Sequence, residues 1–172
     1  MVVEYTVKRT GGPGEAVIFL NDREVAKLSK EDDQVTLISR DGERWNISRR
    51  VEGELRPFSM QVKHGEKSVL TIKDNLFKHK GKFYLFMGIP EGKPMREILL
   101  GRRFICRLDN FPFNEHHEID HETRSRIRRF RGPAVGELDG LGKAGHKVKL
   151  EDELKDIGLQ ISACSYLIYS AG

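Results

Sequence analysis

The most specific chemical pattern in this chain is His117-Glu118-Ile119-Asp120-His121, an H-E-x-x-H match. On a helix, two histidines four apart share a face and can hold zinc. The glutamate between them can then act as general base on a metal-bound water. Its surroundings argue for a solvated stretch instead. Glu115, Asp120 and Glu122 crowd the motif, and a run of arginines follows it. A third ligand would have to be Glu137, Asp139 or His146, none at a diagnostic spacing. A zinc-dependent hydrolase using His117, Glu118 and His121 is therefore kept as an alternative, and the reading is a protein without a metal or other cofactor. No P-loop, dinucleotide fingerprint or nucleophile elbow occurs, so the reading leans away from catalysis.

Two clusters of positive charge remain. Lys73, Lys78, His79, Lys80 and Lys82 fall within ten residues, around Gly81. Lys78, Lys80 and Lys82 alternate, so on a strand they share one face and could meet a phosphate or lipid headgroup. The bland explanation is a sheet edge guarded by lysine against aggregation. Arg124, Arg126, Arg128, Arg129 and Arg131 form the second cluster. Nucleic acid would call for stacking aromatics beside them, and only Phe130 is near. The charge types are also segregated. Residues 60–93 contain seven Lys and no Arg, and residues 94–142 contain nine Arg and no Lys. The expected partner is an anionic lipid or membrane surface, with a protein partner next and nucleic acid last.

These groups must be positioned by strands. Residues 2–8, 15–20, 23–28, 34–40, 43–48, 57–63, 68–74, 75–80, 82–87 and 97–108 read as strands, with a further pair at 134–138 and 146–150. Asn21-Asp22 and Asp41-Gly42 are hairpin signals, and His64-Gly65-Glu66-Lys67 is another turn. The rhythm of short strands every 8–12 residues indicates an all-β sandwich or barrel. Residues 114–131 are ambiguous. The preferred reading is a polar loop to Thr123, then an edge strand 124–131 hairpinned onto 134–138. A helix opened by Asn114 and stopped at Gly132-Pro133 is the alternative.

The last sixteen residues, 157–172, carry no charge in a chain that is 33% charged. The acidic EDELKD precedes them and favours a helix start. Apolar and small residues point in nearly every direction, so residues 157–171 read as a helix buried on all sides. The run is too short and too diluted by Gln160, Ser162 and Ser165 for a membrane span. Cys106 and Cys164 sit in apolar settings and read as reduced core residues. At 172 residues one domain is the default. A cytoplasmic protein, peripheral to a membrane if attached to one, fits this balance.

Taken together, the chain resembles the tubby C-terminal-like superfamily, in its phospholipid-scramblase-like and LURP-one-related branches. The residues that carry the resemblance are Asn21-Asp-Arg-Glu-Val-Ala-Lys-Leu28, Gly132-Pro-Ala-Val-Gly-Glu-Leu138 and Val69-Leu-Thr-Ile-Lys-Asp-Asn-Leu-Phe77. The ending adds to it: a strand at 146–150, an acidic turn and an apolar helix. The resemblance implies one domain over residues 1–172. Strands over 2–150 would form a closed antiparallel barrel of about twelve strands around a core helix at 151–171. It implies phosphoinositide or phospholipid binding rather than catalysis, through Lys73 and Lys78–Lys82. The chain lacks a cysteine-rich stretch, a Pro-rich N-terminal tail and an acidic calcium loop, which sets it apart from lipid-scrambling members.

Overall fold

The computed structural model describes residues 1–51, 58–90, 103–109, 121–140 and 145–169. Its strands are β1 (Val2–Arg9), β2 (Glu15–Leu20), β3 (Arg23–Glu31), β4 (Gln34–Ser39), β5 (Arg44–Val51), β6 (Phe58–His64), β7 (Lys67–Ile72), β8 (Leu76–His79), β9 (Lys82–Pro90), β10 (Arg103–Arg107), β11 (Arg131–Gly132), β12 (Ala134–Gly140) and β13 (Gly145–Glu151). Helix α1 is His121–Arg129. A 3-10 helix, Asp152–Ile157, leads into helix α2, Gly158–Tyr169.

The antiparallel path runs β9, β10, β12, β13 and then β1 through β7 in chain order, while β8 pairs with β9 on its other side. Asp74 and Asn75, both at positive φ, turn β7 into β8. Lys73 and Leu76 exchange backbone hydrogen bonds of 2.7 and 2.9 Å across that turn. This single bridge joins the two ends of the path, so twelve antiparallel strands make a barrel. The barrel is nearly closed, which leaves little of the free edge that an open sheet would expose. The alternation expected from the sequence appears directly. Val7, Ile18, Leu28, Leu37, Ile47, Val62 and Ile72 face inward and are at most 2% exposed.

Helix α2 fills the interior. Ile161, Ser162, Ala163, Cys164 and Ser165 are each 0% exposed, and five consecutive residues sample every direction around a helix. The serines tolerate this because their hydroxyls bond back to the helix. Ser162 Oγ donates to Gly158 O at 2.7 Å, and Ser165 Oγ to Ser162 O at 2.8 Å. Small residues let the helix fit, while Ile161 and Leu167 each contribute about 1.5–3 kcal/mol by burial. The expected helix thus exists, but its first turns, residues 152–157, are 3-10 rather than α. Residues 170–172 lie outside the described residues.

A second, smaller core lies on the barrel's outer wall. Leu76, Leu85, Phe104, Cys106 and Leu108 point outward there and are covered by Ile127 of α1 and by Phe130. This corrects the preferred reading of an edge strand at 124–131. That segment is helical to Arg129, and only Arg131–Gly132 pairs, in parallel, with β9. The apolar stripe looked thin because the helix covers only a small outer patch. Both cysteines are free and buried, and burial pushes each thiol up to about 12.

Candidate anion site on the barrel wall

The lysine hairpin is β8–β9, with Lys80 and Gly81 at φ 49° and 78° forming its two-residue turn. His79 pairs with Lys82, and Lys78 pairs with Phe83. Directly opposed residues share a face and neighbours in sequence do not. Lys78 and Lys82 therefore lie on opposite faces, with Lys80 at the tip, and the single lysine face expected from alternation is not formed. The physical reason is the turn, which takes up Lys80 and Gly81 and reverses the alternation beyond them.

The acidic 3-10 helix occupies the side toward which His79, Lys80 and Lys82 turn. His79 Nε2 lies 3.0 Å from Asp156 Oδ1, and Lys80 Nζ lies 3.2 Å from Asp156 Oδ2. Burial opposes ionisation of Asp156. The hydrogen bonds from Lys80 and His79 outweigh it and hold the carboxyl below its usual range. Glu153 Oε2 accepts from Lys82 Nζ at 3.4 Å, Tyr84 Oη at 3.3 Å and Arg107 Nη1 at 3.4 Å. Arg107 Nε also donates to Asp109 Oδ2 at 3.0 Å. Tyr84 is pushed up to about 12, first by desolvation and then by the Glu153 charge and hydrogen bond. This cluster clasps the entry of the central helix to the hairpin and to β10. Lys78 stands apart on the outer wall, its Nζ 5.5 Å from the centre of the Phe83 ring.

Lys73 belongs to a different place. The residue after inward Ile72, it projects from the outer wall, where a groove of about 510 Å³ crosses β5, β6 and β7. Paired outward residues line it: Arg50 with Ser59, and Ser48 with Gln61 and Thr71. Gln61 Nε2 donates to Ser68 Oγ at 3.1 Å, and Ser68 lies 3.0 Å from Thr71 Oγ1. The Asp74 backbone N–H donates to Ser59 Oγ at 3.4 Å. Two cations, three hydroxyls and an amide make a surface that can donate hydrogen bonds to an oxyanion. Arg50 and the hydroxyl residues were missed from the sequence. Their signal was the polar alternation of Asn46, Ser48 and Arg50, and of Ser59, Gln61 and Lys63.

The zinc alternative falls mostly outside the described residues. Residues 117–120 lie outside the described residues, and His121 opens α1. Glu137 and Asp139 are outward on β12, whereas His146 faces the barrel interior, 2.6 Å from Ser165 Oγ. Among the described residues no group of three or more His, Cys, Asp or Glu side chains converges to hold a metal. Arg126 and Arg129 are exposed on α1, and Arg129 Nε donates to Ser125 O at 3.2 Å. Among the described residues no helix is long and apolar enough to cross a membrane.

No family model, curated protein or solved structure matches this chain.

Proposed function

We propose that this domain is a non-enzymatic module that binds an anionic ligand, of the phosphoinositide or phospholipid headgroup kind, on its outer wall. The observation that carries this reading is the β5–β7 groove. Arg50 and Lys73 flank Ser48, Ser59, Gln61 and Thr71, and among the described residues that line it there is no carboxylate. The hairpin is the weaker half of the expected site, because His79, Lys80 and Lys82 already face Asp156 and Glu153. Lys73 and Lys78 are the members of the expected set that project from the outer wall. The resemblance to the tubby C-terminal-like superfamily points to the same ligand class.

Co-sedimentation with anionic vesicles, at low and high salt, tests this. A polybasic surface gains about 1 kcal/mol per cation near an anionic bilayer, so binding is weak and salt-sensitive. The Arg50→Ala/Lys73→Ala variant then loses roughly 2 kcal/mol, near thirtyfold. The Lys80→Ala/Lys82→Ala variant keeps most of its binding. Loss in the second variant with retention in the first moves the site back to the hairpin. Retention of binding to single-stranded nucleic acid, with none to vesicles, overturns the reading.

A further inference from the structure

The outward residues of β1–β5 form a line that crosses five neighbouring strands. Lys8 is paired with Val17, Val17 with Lys27, Lys27 with Ile38 and Ile38 with Arg44. Each sits between inward residues of the barrel core, such as Val7, Ile18, Ala26 and Leu37. The line therefore reads cation, apolar, cation, apolar, cation. Lys8 Nζ also lies 5.3 Å from the ring of Phe19, the outward neighbour of Val17 along β2. Two grooves, of about 580 and 510 Å³, run along this wall and share Glu24, Lys27 and Ile38. The adjoining row Ser48–Gln61–Thr71 is polar throughout, so the alternation of cation and apolar residue stops at β5.

We infer that this line is a docking surface for an acidic, amphipathic helix of a protein partner. Neighbouring strands lie about 4.8 Å apart, so the backbone positions that carry successive cations of the line stand roughly 9.6 Å apart, with an apolar residue midway. A helix rises about 5.4 Å per turn, which puts residues seven apart roughly 10.5 Å from each other on one face. Carboxylates at that spacing, with an apolar residue one turn between them, match the line in both charge and period. An extended strand does not, because its same-face residues recur every ~6.6 Å. The cations at the ends of the line, Lys8 and Arg44, have long stems. These can reach a straight partner where the barrel wall curves away. A lipid surface fits less well. Glu15 and Glu24 line these grooves and repel a continuous anionic surface, whereas a helix with a few spaced carboxylates can meet the cations of the line and leave both glutamates facing its uncharged residues. This docking surface is separate from the β5–β7 groove and does not depend on it.

The test uses a designed probe: a labelled alanine-based peptide of roughly 15 residues, with Glu at every seventh position and Leu one turn after each. Fluorescence anisotropy is expected to show saturable binding that weakens with salt. Lys27→Glu is expected to weaken it at least tenfold with an unchanged melting temperature. The Val17→Ser/Ile38→Ser variant should weaken binding without changing its salt dependence. A peptide with Lys in place of Glu should bind the Lys8→Glu/Lys27→Glu/Arg44→Glu variant and not the parent chain. Absence of saturable binding overturns the inference, as does binding indifferent to charge reversal. Phosphatidylserine vesicles binding through these three cations, with the peptide left unbound, also overturns it in favour of a membrane face.

Discussion

His146 Nε2 lies 2.6 Å from Ser165 Oγ, which ties the strand next to β1 to the middle of the enclosed helix. Ser165 Oγ donates to Ser162 O at 2.8 Å, so the hydroxyl oxygen is left to accept from His146 Nε2–H. The imidazole also packs on Tyr169, with ring centres 4.8 Å apart. His146 is 2% exposed and Ser165 is 0% exposed, so the pair has the parts of a nucleophile and base without access for a substrate. It is a polar tie inside an apolar barrel.

Its consequence is a pH dependence of stability. Desolvation, with the nearby Arg9 charge adding to it, lowers the His146 pKa from 6.5 to about 4. The unfolded chain takes up this proton near pH 6.5 and the folded chain does not. Stability is therefore complete above pH 6.5 and falls as pH drops toward 4, by on the order of 3 kcal/mol. Urea unfolding across this window should show the slope in the parent chain and a flatter one in His146→Gln. Equal slopes in the two would mean that the ring is solvated or charged in the folded state.

The strands were legible because each local signal agreed with the barrel. Asn21-Asp22 turns at positive φ, as its residue types demand, and Trp45 and Ile47 sit on the inward face of β5. Asp74-Asn75 is an equally good turn, and it joins the two ends of the strand path. The barrel of about twelve strands was expected from the resemblance rather than from any local signal, since β1 pairs with β13 at the far end of the chain. The site was less legible than the fold. Charge density picked out the hairpin lysines, but density along the chain says nothing about the carboxylates of Glu153 and Asp156 that fold back on them. Arg50 and Lys73 come together only through pairing across β5, β6 and β7.

The clasp at the helix entry should be modest in strength and sensitive to salt. Lys80 and Lys82 are more than half exposed, and such pairs are worth about 0–1 kcal/mol. Glu153 meets three donors at once, so Glu153→Gln is expected to cost about 1 kcal/mol, shrinking at high ionic strength. Lys80→Ala should cost less than Glu153→Gln. The phenol gives an independent readout. Removing the Glu153 charge should bring the Tyr84 titration down from about 12, and burial should still keep it above 10. Alkaline absorbance titration of the two proteins checks this. An unmoved phenol would place Glu153 away from it.

Gly158 offers the sharpest test of how the helix enters the barrel. Its φ of −61° and ψ of −40° are ordinary helical values, so nothing in its backbone requires glycine. In an unconstrained helix, Gly→Ala gains about 1 kcal/mol. Here a methyl group at Gly158 would run into the ring of Tyr5, whose side chain is 5% exposed and held by the core. Overpacking of this kind costs about 1–3 kcal/mol, enough to reverse the sign of the propensity gain. Gly158→Ala should therefore lower stability in denaturant melts. Tyr5→Leu removes the obstructing ring and costs stability on its own account. In that background Gly158→Ala should become neutral or stabilising, giving a coupling between the two sites of about 1 kcal/mol or more. A stabilising Gly158→Ala in the parent chain would show that the helix does not enter against Tyr5.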